Sequence, residues 1–230
     1  MIEIKNLKKY YKLGGEIVKA VDDISFNIED GEMLSIIGPS GSGKTTLMHI
    51  LGGLDTPGDG DVIVDGENLR SFSGKKLAEY RNKKVGFVFQ TFNLQPHLTA
   101  LENVELPLII SGVNQKKRKE MASIALEKVG LKDRMNHKPN ELSGGQRQRV
   151  SIARALVNSP KIILADEPTG NLDSKTGDMI LDLLKSLNKQ EGVTIIIVTH
   201  DEYVARSCDK IIQIQDGKIK KNGDSELIKE

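Results

Sequence analysis

The sequence predicts an α/β fold with a mostly parallel sheet, and three observations support this prediction. Short runs of β-branched residues alternate with helical patterns, which is typical of α/β folds. Four runs are almost entirely apolar, as expected of parallel strands that are covered on both faces. A glycine-rich segment follows the first run, at the junction of a predicted strand and a predicted helix. The four runs are Met33–Ile37, Val85–Phe89, 162–165 and 194–198.

Turn signals predict antiparallel strands near both ends of the chain. The apolar run 62–64 stops at Asp65-Gly66, and the run 211–214 meets residues 218–219 across Asp216-Gly217. Asp-Gly between two β-rich runs is a two-residue hairpin signal, because both central residues of such a turn adopt positive φ. We therefore expect an antiparallel β flap beside the parallel core.

The middle of the chain differs from the rest, because residues 91–158 show mostly helical patterns and carry more charge. The basic run 116–119 is interpreted as a solvated helix face. Internal repeats, low-complexity segments and long linkers are not found in the sequence. The sequence predicts one domain over 1–230, in which 1–90 and 159–230 form the core with its flap and 91–158 form an inserted helical subdomain.

Charge and cysteine content restrict the partners and the compartment. Lys and Arg total 33 against 32 Asp and Glu, which is not the concentrated positive charge that nucleic-acid binding requires. The single cysteine, Cys208, excludes an intrachain disulfide and fits a reducing compartment. The start lacks a signal-peptide core, and no run approaches the roughly 20 apolar residues of a membrane span. We expect a cytoplasmic chain with no nucleic-acid partner, whose membrane work belongs to another polypeptide.

The glycine-rich segment matches the pattern of a phosphate-binding loop. Its glycines permit a tight turn and a close approach to phosphate, while successive N–H groups and the helix N-terminus face the anion. Lys44 would add positive charge at the β- and γ-phosphates, Thr45 a hydroxyl for Mg²⁺, and Thr46 a contact to the α-phosphate. By itself the pattern indicates a nucleoside triphosphate and no more. Its members are Gly38, Pro39, Ser40, Gly41, Ser42, Gly43, Lys44 and Thr45.

Two carboxylates follow the third apolar run. Asp166 and Glu167 come at the C-terminal end of the strand 162–165, the edge where ligands collect in open α/β sheets. Asp166 would hold Mg²⁺ through water, because that ion keeps much of its hydration shell. Glu167 would act as a general base on the attacking water. A polar strand end is the alternative interpretation, and the phosphate-binding loop makes it the weaker one.

A second anion site is predicted at the start of another helix. Residues 142–146 read Leu-Ser-Gly-Gly-Gln and precede a helical run over 147–157. Ser143 is a natural N-cap, and Gly144 and Gly145 leave backbone N–H groups uncovered at the positive end of the helix. With this element in place, the order of the motifs over essentially the whole chain resembles that of the ATP-binding cassette (ABC) ATPases.

The resemblance implies ATP as the nucleotide and a homodimer in the ATP-bound state. In this family the element Ser143, Gly144, Gly145 and Gln146, here called the signature, completes the site of the opposite subunit, so that two chains sandwich two ATP molecules. Asp173 resembles the aspartate that crosses the dimer interface. A two-fold symmetric dimer fits the separation of the two anion sites along the sequence.

Three more positions match motifs of the family. Gln90, at the end of the second apolar run, resembles the glutamine that contacts Mg²⁺ or the lytic water. His200 resembles the switch histidine that contacts the γ-phosphate and steadies Glu167. Tyr11 resembles the aromatic residue that stacks on adenine, although spacing alone does not decide between Tyr11 and the adjacent Tyr10.

Five short segments match one bacterial branch of the family: 87–90, 92–94, 102–107, 137–140 and 169–173. They resemble the macrolide-export, lipoprotein-release and peptide-resistance group (MacB/LolD-like). This branch implies a separate permease, with the chain held peripherally at the cytoplasmic face of the cell membrane. By resemblance, the stretch that begins at Thr91 and ends at Pro107 lines the groove that receives a cytoplasmic helix of the permease.

Two other functions stay open on sequence grounds. A cell-division ATPase of similar sequence would drive a permease-like partner without transport, and the identity of that partner would decide. A DNA-repair or chromosome-structure ATPase would share the motifs but carry long coiled-coil insertions. This chain contains no heptad run of several repeats, and its net charge of +1 gives no support to DNA binding. We expect an ATP-hydrolysing subunit that drives a separate permease by dimer closure.

Overall fold

The computed structural model describes residues 1–224, so residues 225–230 of the predicted domain lie outside the described residues. The strands are β1 Ile2–Leu13, β2 Glu16–Ile28, β3 Met33–Ile37, β4 Asp59–Val64, β5 Glu67–Asn68, β6 Val85–Phe89, β7 Ile162–Asp166, β8 Thr194–Thr199, β9 Lys210–Gln215 and β10 Lys218–Asp224. The helices are α1 Lys44–Leu51, α2 Gly74–Lys83, α3 Ala100–Ile110, α4 Gln115–Lys128, α5 Gly144–Leu156, α6 Ser174–Glu191 and α7 Glu202–Arg206. Short 3₁₀ helices cover Leu69–Ser71, Lys132–Arg134 and Pro139–Glu141.

The larger sheet has six strands in the order β10-β9-β3-β8-β7-β6. Strands β9, β3, β8, β7 and β6 run parallel, which confirms the predicted parallel core and its four apolar strands. The hairpin across Asp216-Gly217 is confirmed as well. It extends the core sheet, however, and does not belong to a separate flap, because β9 pairs in parallel with β3.

The smaller sheet is antiparallel and forms the flap, in the order β2-β1-β4-β5. The run 62–64 lies in β4, as expected. Most of the flap is the long β1–β2 hairpin, which the sequence did not reveal. Its alternation is interrupted by irregular pairing between Ile4 and Leu7, and Asn6 and Asp23 take positive φ values of 47° and 64°.

The core sheet is buried on both faces, and β8 shows how its residues are divided. Side chains of successive strand residues point to opposite faces. Ile195 and Ile197 pack with the helices α3 to α6, whereas Ile196 and Val198 pack with α1 and the flap. Cys208 belongs to the helical side, where burial raises the pKa of its thiol to about 12.

The inserted region is helical, as predicted, and its helices begin at N-caps whose side-chain oxygens accept the N–H three residues on. The basic run 116–119 lies in the first turns of α4 and is mostly exposed. Arg118 turns inward instead and pairs with the buried Glu105 at 2.6 Å. The N-caps of α3, α4 and α5 are Thr99, Asn114 and Ser143.

Among residues 1–224, no helix combines the length and the apolarity that a membrane crossing requires.

Candidate nucleotide site

The phosphate-binding loop connects β3 to α1 and is pressed against two neighbouring strands. Gly38 has φ 155°, and a Cβ there would lie 2.1 Å from the Ile214 carbonyl oxygen. Gly43 has φ 104°, and a Cβ there would lie 1.9 Å from the Ala20 carbonyl oxygen. Any side chain at Gly38 or Gly43 would clash with a neighbouring carbonyl oxygen, so the loop geometry depends on glycine at both positions. The exposed members of the motif are Pro39, Ser40, Gly41 and Thr45.

The turn between β9 and β10 tethers this loop. The Gly217 N–H donates to the Ser42 carbonyl oxygen at 3.0 Å, and the Gly217 carbonyl oxygen accepts the Asp22 N–H at 2.8 Å. Gly217 takes φ 74°, and a Cβ there would lie 2.6 Å from the Lys19 carbonyl oxygen. A turn that the sequence indicated only as a hairpin signal therefore connects β2 to the phosphate-binding loop.

Lys44 begins α1, and its side chain folds back over the loop. Its ammonium donates to the carbonyl oxygens of Gly38 and Pro39, at 2.8 Å each. Burial lowers the pKa of Lys44, and the negative charges of Glu167 and Asp166 partly oppose that effect. The structure therefore brings Lys44 and the two strand-end carboxylates within electrostatic range of one another.

The Tyr11 side chain contacts the first turn of α1, the helix that follows the phosphate-binding loop. Its hydroxyl donates to Asp55 Oδ2 at 2.5 Å and shares a hydrogen bond with Thr46 in the first turn of α1. Burial, and then the contact with Asp55, raises the pKa of Tyr11. The Tyr10 hydroxyl instead bonds Asp22. Sequence reasoning missed Asp55, for which no motif or spacing gave a signal.

Asp166 is the last residue of β7, between strands β6 and β8. Burial, and then the adjacent charge of Glu167, raises the pKa of Asp166, while His49 and Lys44 act in the opposite direction. The carboxylate is thus poorly compensated by protein charges. His49 on α1 lies within electrostatic range of this carboxylate.

Glu167 is fixed in position through both its backbone and its side chain. It takes φ 45°, and its N–H donates to the Val198 carbonyl oxygen at 2.9 Å. Oε1 faces the His200 main-chain N–H at 3.0 Å and the His200 ring Nδ1 at 2.6 Å. Oε2 accepts the Thr199 hydroxyl at 3.0 Å. The structure brings Glu167 and His200 together, and it adds Thr199, which sequence reasoning missed.

Gln90 follows β6 and is tied to the loop after Glu167. Its Nε2 donates to Asn171 Oδ1 at 3.3 Å, and Asn171 Nδ2 donates to the Gln90 carbonyl oxygen at 3.0 Å. Asn171 was noted in the sequence only as part of a branch motif. The reciprocal contact makes it the partner that sets the position of Gln90 relative to the carboxylate loop.

The signature lies at the start of α5 and is capped as predicted. The Ser143 hydroxyl accepts the Gln146 N–H at 3.3 Å, and the Gln146 side chain accepts the Ser143 N–H at 2.9 Å. A Cβ at Gly145 would lie 2.5 Å from Thr176, so this glycine is also required for close packing on α6. Asp173 caps α6 through the Thr176 N–H at 3.1 Å. The signature and Asp173 are therefore neighbours within one chain.

An apolar groove of about 540 Å³ lies between the core and the helical subdomain. Of the stretch from Thr91 to Pro107, three residues line it, whereas Ala100, Asn103, Val104 and Glu105 are buried in the subdomain. The expectation that the stretch contacts a permease stays a prediction. Leu54 and Ile110, 49% and 77% exposed, add apolar surface at its sides. The three residues of the stretch are Asn93, Leu106 and Pro107.

Sequence comparison relates this arrangement to known proteins. A family model described as ABC transporter matches residues 21–170, which include the phosphate-binding loop, the signature and both strand-end carboxylates. The uncharacterized ABC transporter ATP-binding protein YknY of Bacillus subtilis (strain 168) is 54% identical over 219 residues, covering 95% of each chain. The lipoprotein-releasing system ATP-binding protein LolD of Syntrophus aciditrophicus (strain SB) is 49% identical over 219 residues, covering 95% of this chain and 98% of LolD.

Solved structures give the same picture for the fold. A dimeric post-hydrolysis structure of the ATP-binding cassette MJ0796 bound to ADP and Pi matches with a TM-score of 0.89 at 49% identity, covering 98% of this chain and 99% of that one. The structure of cbiO1 from Clostridium perfringens, part of the transporter complex cbiONQ, matches with a TM-score of 0.89 at 29% identity, covering 99% of this chain and 89% of that one.

Proposed function

This chain belongs to the ABC transporter family and is an ATP-binding, ATP-hydrolysing cassette, and from that premise we propose that it drives a separate permease of the MacB/LolD-like type by closure of a homodimer. The separation of the two anion-binding helix starts carries the proposal. The phosphate-binding loop follows β3, whereas the signature helix α5 packs against β6, three strand positions along the sheet. Strands three positions apart are separated by roughly 14 Å, so we expect a second copy to bring a signature to the γ-phosphate.

Two similarities support this dimer and the branch. The related MJ0796 cassette is dimeric with ADP and Pi, and the related LolD carries the name of a lipoprotein-releasing system. The Ser143 oxygen accepts a hydrogen bond within its own helix, which leaves its O–H free to donate to a partner's phosphate. Asp173 lies beside the signature, where it would meet the same interface.

The oxygen donors at the strand ends fit Mg²⁺, for which we propose Asp166, Thr45 and Gln90. Carboxylate, hydroxyl and amide oxygens suit this ion, which uses few protein carboxylates when phosphate oxygens are available. Burial and the neighbouring Glu167 raise the pKa of Asp166, and a cation would stabilise its charged form. Within residues 1–224, no group of three His, Cys, Asp or Glu side chains is placed to hold a metal alone. When bound, the ion would neutralise phosphate charge.

Lys44 and Glu167 would carry the chemistry of hydrolysis. Lys44 would exchange its two loop carbonyls for β- and γ-phosphate oxygens, which bear more negative charge. Glu167 would orient the attacking water and accept its proton. Because Oε1 already faces two nitrogens of His200, Oε2, which accepts the Thr199 hydroxyl, would be the oxygen that takes this proton. Gln90 would hold the lytic water opposite Glu167.

The apolar groove would receive the permease and so hold the cassette peripherally at the cytoplasmic face of the membrane. Leu54, Ile110, Leu106 and Pro107 offer apolar surface to an amphipathic helix. The groove lies between the core, which carries Gln90, and the helical subdomain, which carries the signature. An occupant would therefore contact both parts that dimer closure must align.

The test uses the cassette reconstituted in liposomes with the candidate permease, and measures ATP hydrolysis with and without it. Leu54→Glu and Ile110→Glu place carboxylates in the groove, and we expect them to abolish stimulation by the permease while basal hydrolysis persists. Ile124→Glu is the matched control, because Ile124 is 49% exposed on α4, outside the groove. Equal stimulation of all three variants would refute the docking proposal. Substrate movement in the same liposomes separates transport from a cell-division role.

A further inference from the structure

We infer that Arg154 is a positioning residue for ATP hydrolysis, which holds the segment after Gln90 in its observed shape from the signature helix. Arg154 lies near the C-terminal end of α5. Its guanidinium donates to the Asn93 carbonyl oxygen at 2.6 Å and to the Phe92 carbonyl oxygen at 2.9 Å. One side chain therefore fixes two successive peptide groups directly downstream of Gln90.

The segment that Arg154 holds has an unfavourable backbone. Phe92 and Asn93 take φ values of 61° and 49°. Left-handed conformations crowd the Cβ of an L-residue against its carbonyl oxygen, and two consecutive ones outside glycine persist only when neighbouring groups hold them. Charge-assisted hydrogen bonds to both carbonyls supply such a restraint. Without Arg154, we expect the segment to leave this conformation.

The hydrogen bonds to Phe92 and Asn93 are the principal compensation for the hydration that the Arg154 guanidinium loses. Burial lowers the pKa of its guanidinium, and in the described part of the chain no carboxylate is found to offset that effect. A half-buried charge loses part of its hydration and needs hydrogen-bond partners to replace it. The carbonyls of Phe92 and Asn93 meet that need, so separating the segment from α5 is unfavourable for both sides.

The hydrogen bonds from Arg154 to Phe92 and Asn93 link three parts of the molecule: the signature, the segment around Gln90 and the apolar groove. The signature begins α5 and Arg154 lies in the last turn of the same helix, so a single helix joins them. The Phe92 N–H bonds the Phe89 carbonyl oxygen at 3.2 Å, in the turn that contains Gln90. Arg154 and Asn93 also line the apolar groove. A displacement in the groove would reach Gln90 and the signature through one side chain.

The inference rests on the proposed role of Gln90, and a double-mutant cycle separates the two. Arg154→Met keeps an apolar stem but removes every donor, Arg154→Lys keeps one charged donor, and Gln90→Ala removes the amide. We expect Arg154→Met to lower kcat about tenfold, within the usual range for contacting residues, and to leave ATP affinity within about twofold. Arg154→Lys should retain an intermediate kcat. In the Gln90→Ala background, Arg154→Met should change kcat by less than about twofold.

Each outcome of the cycle is decisive. If the kcat loss of the double variant equals the product of the two single losses, Arg154 acts independently of Gln90. That result would overturn the inference on Arg154 and leave the proposed function untouched. Full turnover of Gln90→Ala would overturn the role of Gln90 and the inference with it. Arg149→Met is the control, because Arg149 lies on the same helix but donates to Val129, at 3.4 Å. If Arg154→Met does not fold, the cycle is completed with Arg154→Lys.

Discussion

The Glu167 carboxylate and His200 meet through two contacts on a single oxygen. Oε1 faces the main-chain N–H of His200 at 3.0 Å and its ring Nδ1 at 2.6 Å. The other oxygen, Oε2, accepts the Thr199 hydroxyl at 3.0 Å. The end of β8 therefore fixes the orientation of the carboxylate at the end of β7, so the proposed base does not depend on a mobile loop for its position.

Replacement of Glu167 by Gln should stop turnover while leaving ATP bound. We expect kcat to fall roughly 10²- to 10⁴-fold, the usual contribution of a general base, and the ATP-bound dimer to accumulate. Phosphate release gives the rate, and light scattering with ATP gives the oligomeric state. Glu79→Gln on the exposed face of α2 serves as the control. Turnover within a few-fold of the unmodified chain would exclude Glu167 from the mechanism.

Thr199→Val should lower kcat about fivefold, because it removes one hydrogen bond that orients Glu167, which is worth about 1 kcal/mol. The same hydroxyl accepts the Asp201 N–H at 3.0 Å, so the Tm of the variant should also fall. Thr199→Ser keeps both contacts and should retain kcat, with a small fall in Tm because it loses a buried methyl group. Steady-state kinetics and thermal unfolding measure the two effects. Equal kcat for the Val and Ser variants would show that the hydroxyl does not act on Glu167.

Gly217→Ala should weaken ATP binding by about tenfold or more, because it disturbs the turn that tethers the phosphate-binding loop. Gly66→Ala is the matched control, since Gly66 also follows an Asp in a turn and has φ 78°, but a Cβ there meets nothing within 4 Å. Both substitutions carry the left-handed cost of about 1–2 kcal/mol. Only the Cβ at 217 would strike the Lys19 carbonyl oxygen, at 2.6 Å.

Titration calorimetry with ATP measures the difference between these two glycine variants. The unfolding temperature of both should fall by a similar amount from the shared backbone strain, with a further loss for Gly217→Ala. Unchanged ATP affinity in Gly217→Ala would show that the loop keeps its geometry without the tether. Equal weakening in both variants would assign the effect to general destabilisation.

The Cys208 thiol should resist alkylation in the folded chain. Burial raises its pKa to about 12, whereas an unfolded cysteine has a pKa of about 8.5. Iodoacetamide at pH 8.5 should therefore modify the protein rapidly in urea and very slowly in buffer, as followed by intact mass. Rapid modification of the native chain would contradict the burial of this thiol.

The same pKa shift predicts a loss of stability in alkali. Because the folded state raises the pKa of Cys208, its contribution to stability is complete below the unfolded pKa of about 8.5. That contribution declines as the pH rises from there toward about 12, since the unfolded chain releases its proton first. Thermal unfolding of Cys208→Ala against the unmodified chain over this window measures the effect.

The sequence predicted the strand-end part of the site because parallel strands place their carboxyl ends at one edge. Gln90, Asp166, Glu167 and His200 each follow an apolar run and so lie at the same edge of the core sheet, but Gln90 and His200 were singled out by their resemblance to family motifs. The signature was predictable for a similar reason, since an N-cap before a helical run is a local pattern.

Residues that act through tertiary contacts could not be predicted in this way. Asp55, Asn171 and Arg154 reach their partners across loops or helices that are distant in sequence, and a side chain that bonds a carbonyl leaves no periodic signal. The β1–β2 hairpin escaped for a related reason. Its irregular pairing between Ile4 and Leu7 breaks the two-residue alternation by which strands are recognised.

The burial of the chain's one cysteine has a practical consequence for testing the proposed dimer closure. Fluorophores or spin labels attached to an introduced surface cysteine would not compete with Cys208, so no native residue has to be removed first. Labels at exposed Ile17 on the flap and Ile124 on α4 would then report inter-subunit separations during the catalytic cycle by spectroscopy.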